Sequence, residues 1–237
     1  LASRRAIKRQ AVDRWSGGFS PQVLGVVPVK NTYSHLENVA LAPLAGRALI
    51  DHTLDEALAA GCFQSVVVTT DDAAVVDHCV ARGDVSAFLR QTELSAPTSR
   101  LTDVLVDAVE RCEREMGLYP DIVALLSVHT PLRTRDHIRE AVDSLLLYDS
   151  DHVLTTYEDL DIHFRHGRSG MEPLNPGMTN RLRYERESLF VDNGAVHVLW
   201  RDLIEPDVRV SGRVGHTVMA RSDSVQLKSW YDHGLIE

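Results

Sequence analysis

Apolar positions fall into two rhythms that alternate along the chain from about residue 23. Short unbroken apolar runs read as strands, because a strand covered on both faces is continuously hydrophobic. Residues 23–30 (Val-Leu-Gly-Val-Val-Pro-Val-Lys) form the first run, which ends in a polar loop. Similar runs follow at 66–70, 86–89, 122–126 and 153–156. The intervening segments carry helical spacing. One covers 49–60 and stops at Gly61, a C-cap residue. Another runs from Asp71-Asp72 to about 82, with both acids where the helix dipole favours them. In 102–116, Leu101, Leu105, Val106, Val109 and Cys112 recur on one face, and 135–147 is the next helix. This βαβα order predicts a parallel or mixed sheet with helices on both faces. Ligands in such sheets bind outside the carboxyl ends of the strands, here 28–30, 70–71, 89–91 and 127–133.

Two segments depart from this rhythm. Residues 158–192 hold Pro173, Asn175-Pro176-Gly177, histidines and the arginines Arg181, Arg183 and Arg186, and read as an excursion: a lid, a substrate loop or a dimer arm. The chain then re-enters the core at 191–199, where Asn193-Gly194 reads as a hairpin turn or a loop feeding a strand. Residues 1–20 carry five basic side chains against one acid, with Ala6, Ile7, Ala11, Val12 and Trp15 compatible with a short amphipathic helix. Gly17-Gly18 separates it from the first strand. The expected organisation is a basic extension over 1–20 and one domain over 21–237, with 158–192 as its insertion. The sequence opens on Leu1, compatible with a piece of a longer protein.

Charge and composition narrow the function. A net charge of -9 argues against nucleic acid as a partner, which needs a basic face to displace counterions. It leaves room for a local cationic pocket. No apolar stretch approaches the roughly 18–20 residues that span a bilayer, so no membrane partner is expected. Cys62, Cys79 and Cys112 have neither zinc spacing nor a disulfide framework, which suits the reducing cytoplasm. His129, His163 and His166 are scattered on loops and read as solvent-facing rather than as metal ligands.

Five stretches in order carry a family resemblance: 43–50 (Pro-Leu-Ala-Gly-Arg-Ala-Leu-Ile), 66–72 (Val-Val-Val-Thr-Thr-Asp-Asp), 88–94 (Phe-Leu-Arg-Gln-Thr-Glu-Leu), 125–133 (Leu-Leu-Ser-Val-His-Thr-Pro-Leu-Arg) and 193–196 (Asn-Gly-Ala-Val). Together they resemble the acylneuraminate cytidylyltransferases, which make CMP-activated sialic acids, with this chain as a divergent member. The resemblance implies an α/β, Rossmann-like nucleotide-diphospho-sugar transferase fold. Its sheet is mixed but mostly parallel, with helices on both faces and the excursion as a dimerisation arm. It implies CTP and a small acidic acceptor as substrates, a homodimer, and attack of a sugar hydroxyl on the α-phosphate with release of pyrophosphate. Mg²⁺ is the cofactor it implies.

The same resemblance assigns residues. The backbone at Val27, Pro28 and Val29 cradles the base, and Lys30 falls at the first-loop arginine. Ser34 and Val39 fall at two lysines and Ala40 at an asparagine, so one first-loop cation of three remains. Arg90 stands at a nucleotide-contacting arginine. Pro97 replaces an acid, and Arg100 and Leu101 replace paired serines, with Arg100 able to restore a lost cation. On the acceptor side, Ser127 replaces a glutamine, Thr130 and Arg133 fit, Arg183 and Asn193 are kept, and His197 takes a tyrosine position. In the metal segment, 223–228, both acidic ligands are replaced, by Gln226 and Lys228. Two readings follow. One is a cytidylyltransferase with a rebuilt phosphate site, in which Lys30, Arg90 and Arg100 work on the triphosphate and Lys228 puts an ammonium where the metal's charge would sit. The other is a non-catalytic relative serving as a nucleotide-binding, regulatory or scaffolding module.

Overall fold

The computed structural model describes residues 21–33, 36–96, 98–204 and 212–237. The basic segment 1–20, Ser34 and Pro97 lie outside the described residues. The strands of four residues or more are β1 (Val23–Val29), β2 (Ser65–Thr70), β3 (Ser86–Leu89), β4 (Ile122–Leu126), β5 (His152–Asp159), β6 (Phe164–Gly167), β7 (Gly170–Pro173), β8 (Leu189–Trp200) and β9 (Val214–Val218). The helices are α1 (Leu49–Ala60), α2 (Ala73–Arg82), α3 (Leu101–Met116), α4 (Arg135–Leu147) and α5 (Trp230–Ile236). Seven strands form one sheet in the order β9-β5-β8-β4-β1-β2-β3. All neighbours are parallel except β8, which runs antiparallel to both β4 and β5.

Strand β1 shows why the sheet is covered on both faces. Val23, Val27 and Val29 join the apolar layer beneath α1 and α4, where Leu49, Ile50, Leu54, Ile138 and Leu145 are buried. Leu24 and Val26 point the other way, against Leu105, Val109 and Cys112 of α3. The helix boundaries have local causes. Gly61 closes α1 at φ 65°, a conformation glycine reaches without strain. The side chain of Asp72 caps α2 by accepting from the Ala74 amide.

The sequence order sets the position of the crevice. From β1 the chain moves to β2 and β3 on one side, then crosses to β4 on the other, so the strand order reverses between β1 and β4. Pairing there stops at Val26–Leu125, whereas β1 and β2 stay paired to Val29–Thr70. Pro28 therefore lacks an amide hydrogen where no β4 partner remains to need one.

Two expectations change. Asn193-Gly194 makes neither a hairpin turn nor a loop, but a bulge inside the twelve-residue strand β8, where the register to β5 slips between Asp192 and His197. Gly194 sits at φ 64° there. The excursion is also shorter than 158–192, because β5 and β8 extend into it. What remains is the β6–β7 hairpin and short 3-10 turns at Pro176–Met178 and Arg183–Glu185.

Candidate active site

A cleft of about 400 Å³ opens at the β1–β4 split. Its floor comes from Pro28 and Val29 at the end of β1, Leu125 of β4 and Ser127 just beyond that strand. One wall is the β3–α3 connection, including Leu94, Ala96 and Ser99, with Leu101 and Val104 of α3. The opposite wall combines the β8 bulge, through Gly194 and His197, with the C-terminal segment Gln226, Leu227 and Lys228.

Arg90 is the most constrained cation of the site. Its amide donates to Thr70 O at 2.6 Å, extending the β2–β3 ladder by one residue. Its Nη2 donates to Val29 O at 2.6 Å and lies 3.8 Å from Asp71 Oδ1. The side chain is 3% exposed, and its Nε is buried without a hydrogen-bond partner. Burial pulls this guanidinium below its ordinary pKa, while the charges of Asp71 and Asp107 act in the other direction. Asp71 also accepts from the Asn31 amide at 2.8 Å and so ties the loop after β1 to the Arg90 corner. Lys30, half-buried, reaches across the mouth and donates to Ala96 O at 3.4 Å.

The bulge organises the far wall. Asp192 Oδ1 accepts from the Gly194 amide at 2.8 Å and from His197 Nε2 at 3.1 Å. A proton on Nε2 serves this contact, and in the neutral ring Nδ1 is then the acceptor. Burial raises the Asp192 carboxyl, but the His197 hydrogen bond and charge outweigh it and hold the pKa below the usual range. His152 packs against His197 with ring centroids 5.2 Å apart. The C-terminal segment is pinned from two sides: the Leu227 amide donates to His129 O at 2.8 Å, and Gln226 Nε2 donates to Asn193 O. Lys228, exposed, extends from that pinned backbone to the cleft.

Of the residues assigned from sequence, the fold brings Pro28, Val29, Lys30, Arg90, Ser127 and His197 to the cleft. Others lie elsewhere. Val27 is buried under the sheet. Arg133 is 1% exposed, and its Nη1 donates to Ser127 O at 2.9 Å and Ala195 O at 2.8 Å, joining the residue after β4 to the bulge of β8. Thr130 is buried and donates to Ser127 O at 3.3 Å. Asn193 points into the core, where its Oδ1 accepts from Thr155 Oγ1 at 2.7 Å and its Nδ2 donates to Ser224 Oγ at 2.9 Å. Arg100 is exposed at the start of α3 and outside the cleft lining. Arg183 pairs with Asp161 at 3.0 Å on the surface of the excursion. His129 is half-buried at the cleft rather than on an open loop, and burial pushes its pKa down to about 4. Leu94, Ser99, Leu101, Val104 and His129 were not assigned to the site from sequence, because nothing in their local pattern points to a ligand.

The lining does not fit a magnesium ion, which prefers carboxylate and water oxygens. None of the described lining residues is acidic. At the two positions where the resemblance implies acids, Gln226 has its amide nitrogen committed to Asn193 O and Lys228 is a cation. Among the described residues, no group of three or more His, Cys, Asp or Glu side chains gathers to hold a metal. No described helix is long and apolar enough to cross a membrane.

Comparison with known families matches the cytidylyltransferase model over residues 30–172, more than half of the chain. The chain belongs to the cytidylyltransferase family. The matched segment runs from the cation after β1, through Arg90 and Ser127, into the excursion. Within the family, the chain is 31% identical over 122 residues to CMP-N,N'-diacetyllegionaminic acid synthase of Legionella pneumophila, covering 52% of each protein. It is 30% identical over 135 residues to N-acylneuraminate cytidylyltransferase of Streptococcus agalactiae, covering 56% of this chain and 31% of that protein. The matched region thus spans about half or less of these curated relatives. The fold matches the structure of CMP:2-keto-3-deoxy-manno-octonic acid synthetase complexed with CTP, at a TM-score of 0.60 and 14% identity over 84% of this chain and 90% of that one. It is a Rossmann-like cytidylyltransferase fold at low sequence identity.

Proposed function

We propose that this cytidylyltransferase-family chain transfers CMP from CTP to an acidic sugar of the nonulosonic type, or a similar small anionic acceptor, and releases pyrophosphate. One observation carries the reading: Lys30, Arg90 and Lys228 line a single cleft at the strand-order reversal, where α/β folds bind nucleotides. The cleft's volume of about 400 Å³ suits a nucleotide-sized ligand. The backbone of Pro28 and Val29 receives the base, and the cations meet the phosphates. The acceptor lies against Ser127 and His197. Its hydroxyl oxygen bonds to the α-phosphorus as the bond from that phosphorus to the pyrophosphate oxygen breaks. The hydroxyl proton passes to Nδ1 of His197, whose ring is held through Nε2 by Asp192. Pyrophosphate leaves as the anion.

The family relatives in Legionella pneumophila and Streptococcus agalactiae, named for legionaminic and neuraminic acids, support the acceptor class. The work is assigned to the cytoplasm and to a homodimer. Phe164, Met171, Leu174, Leu182 and Tyr184 are large apolar residues exposed along the excursion, and they supply the surface for that contact. Light scattering that reports a monomer at micromolar concentration would remove the dimer.

Pyrophosphate release from CTP with a panel of nonulosonic acids, with and without Mg²⁺, tests the transfer. Turnover with at least one acceptor is expected. The substitutions in the metal segment favour one second reading, a nucleotide-binding relative without catalysis. CTP binding without turnover on any acceptor would select it.

A further inference from the structure

We infer that the cleft holds the nucleotide triphosphate without a divalent cation, with the Lys228 ammonium supplying the charge that a metal would otherwise bring. The inference rests on the CTP-dependent reading above and concerns the same cleft. Four observations carry it. First, the described lining has three cationic side chains and no carboxylate. Magnesium prefers carboxylate and water oxygens, whereas this lining offers neutral polar groups and three cations that repel a metal.

Second, Lys228 extends from a fixed backbone. Leu227, next to it, is fully buried and bonded through its amide to His129 O at 2.8 Å. The Lys228 amide itself donates to Asp232 Oδ2 at 3.0 Å. The side chain is exposed while its root is held, which suits a compact ammonium binding phosphate as a point charge.

Third, Gln226 replaces an acid's charge with a neutral amide oxygen. Its Nε2 is given to Asn193 O, so its role is to brace the bulge. Fourth, Arg90 carries a buried Nε–H with no partner in the protein. Arg90 lines the cleft with its guanidinium fixed on Val29 O, so a positive charge stands ready beside an entering anion.

Fixed cations do the electrostatic part of a metal's work, neutralising phosphate charge where it develops. They do not bridge two phosphate oxygens at one centre, so Lys30, Arg90 and Lys228 must act from separate sides. Because Lys228 is exposed, its part of the interaction is screened by salt.

Calorimetric titration of the chain with CTP tests this, in buffer with EDTA and in buffer with excess Mg²⁺. The expected affinity in EDTA is equal to or higher than that in Mg²⁺, because free CTP carries more charge than its magnesium complex. Lys228→Met should weaken binding in EDTA by at least about tenfold, the size of one charge-assisted hydrogen bond. Lys228→Asp should weaken it further, and added Mg²⁺ should recover part of that loss. Binding that falls tenfold or more when EDTA replaces Mg²⁺ would overturn the inference and leave the transfer reading standing. No CTP binding in either buffer would overturn both. Circular dichroism on both variants separates a folding defect from a lost contact, and a folded Lys228→Met with wild-type affinity would also overturn the inference.

Discussion

Replacing Asn193 by alanine should unfold this protein more easily rather than weaken an acceptor contact. Its Oδ1 accepts from Thr155 Oγ1 at 2.7 Å and from the Ala195 amide at 3.0 Å, and its Nδ2 donates to Ser224 Oγ at 2.9 Å. The partners do not lose equally. Thr155 keeps Val196 O at 3.3 Å and Ser224 keeps Ala220 O at 2.9 Å. The Ala195 amide, on a fully buried residue, keeps no acceptor. One orphaned buried donor costs about 1–3 kcal/mol, and each of the other lost bonds about 1 kcal/mol before the neighbours relax. The expected loss for Asn193→Ala is about 2–4 kcal/mol, or roughly 5–15 °C in Tm for a chain of this size. Urea melts and calorimetry read it. Thr155→Val should be non-additive with Asn193→Ala by about 1 kcal/mol, because the two share a bond. A variant that melts within about 1 kcal/mol of the parent yet binds acceptor less tightly would refute this, and would return Asn193 to the acceptor side.

Three further outcomes are expected. Burial holds His152 down at about 4, helped by the His197 charge, and holds His129 down at about 4. Both take up protons on unfolding between about pH 6.5 and 4. Stability is therefore full above that window and falls with pH through it, by about 2 kcal/mol at pH 5 from His152 alone. A flat Tm between pH 7.5 and 5 would refute this. Asp51, held low by His78 and Arg82 despite its burial, adds a loss only at lower pH. Gly194→Ala puts a Cβ 3.2 Å from Gln226 Nε2 at a residue with φ 64°. It should cost about 1–2 kcal/mol and weaken CTP binding by displacing the 226–228 segment, with thermal melts and titration as readouts. Unchanged stability and affinity would show that the bulge does not set this wall. Burial pushes the Cys62, Cys79 and Cys112 thiols up to about 11. A thiol reagent at pH 8 should label the native chain slowly and all three thiols after denaturation; rapid native labelling would contradict that burial.

Local pattern determined most of the architecture. Continuous apolar runs and helical stripes placed β1 through β5 and α1 through α4 because each element's periodicity follows from the faces it buries. The residue types at Gly61 and Asp72 marked helix ends for equally local reasons. The candidate cations Lys30 and Arg90 were also legible, since both follow strand ends in a fold whose ligands bind there.

The tertiary structure decided which residues share the cleft. Arg133 and Asn193 look like substrate ligands in a linear motif, but Arg133 Nη1 and the Asn193 side-chain amide join β8 to the elements around it, a use set by contacts about 60 and about 40 residues away. The bulge that brings Asp192 and His197 together depends on a register slip against β5, which no turn propensity in Asn193-Gly194 specifies. Lys228 reaches the same cleft as Lys30 only because Leu227 is pinned to His129 and Gln226 to Asn193. Local sequence sets the conformation of neighbouring residues, but charges far apart in the chain meet in a site only when the packed sheet aligns its strands.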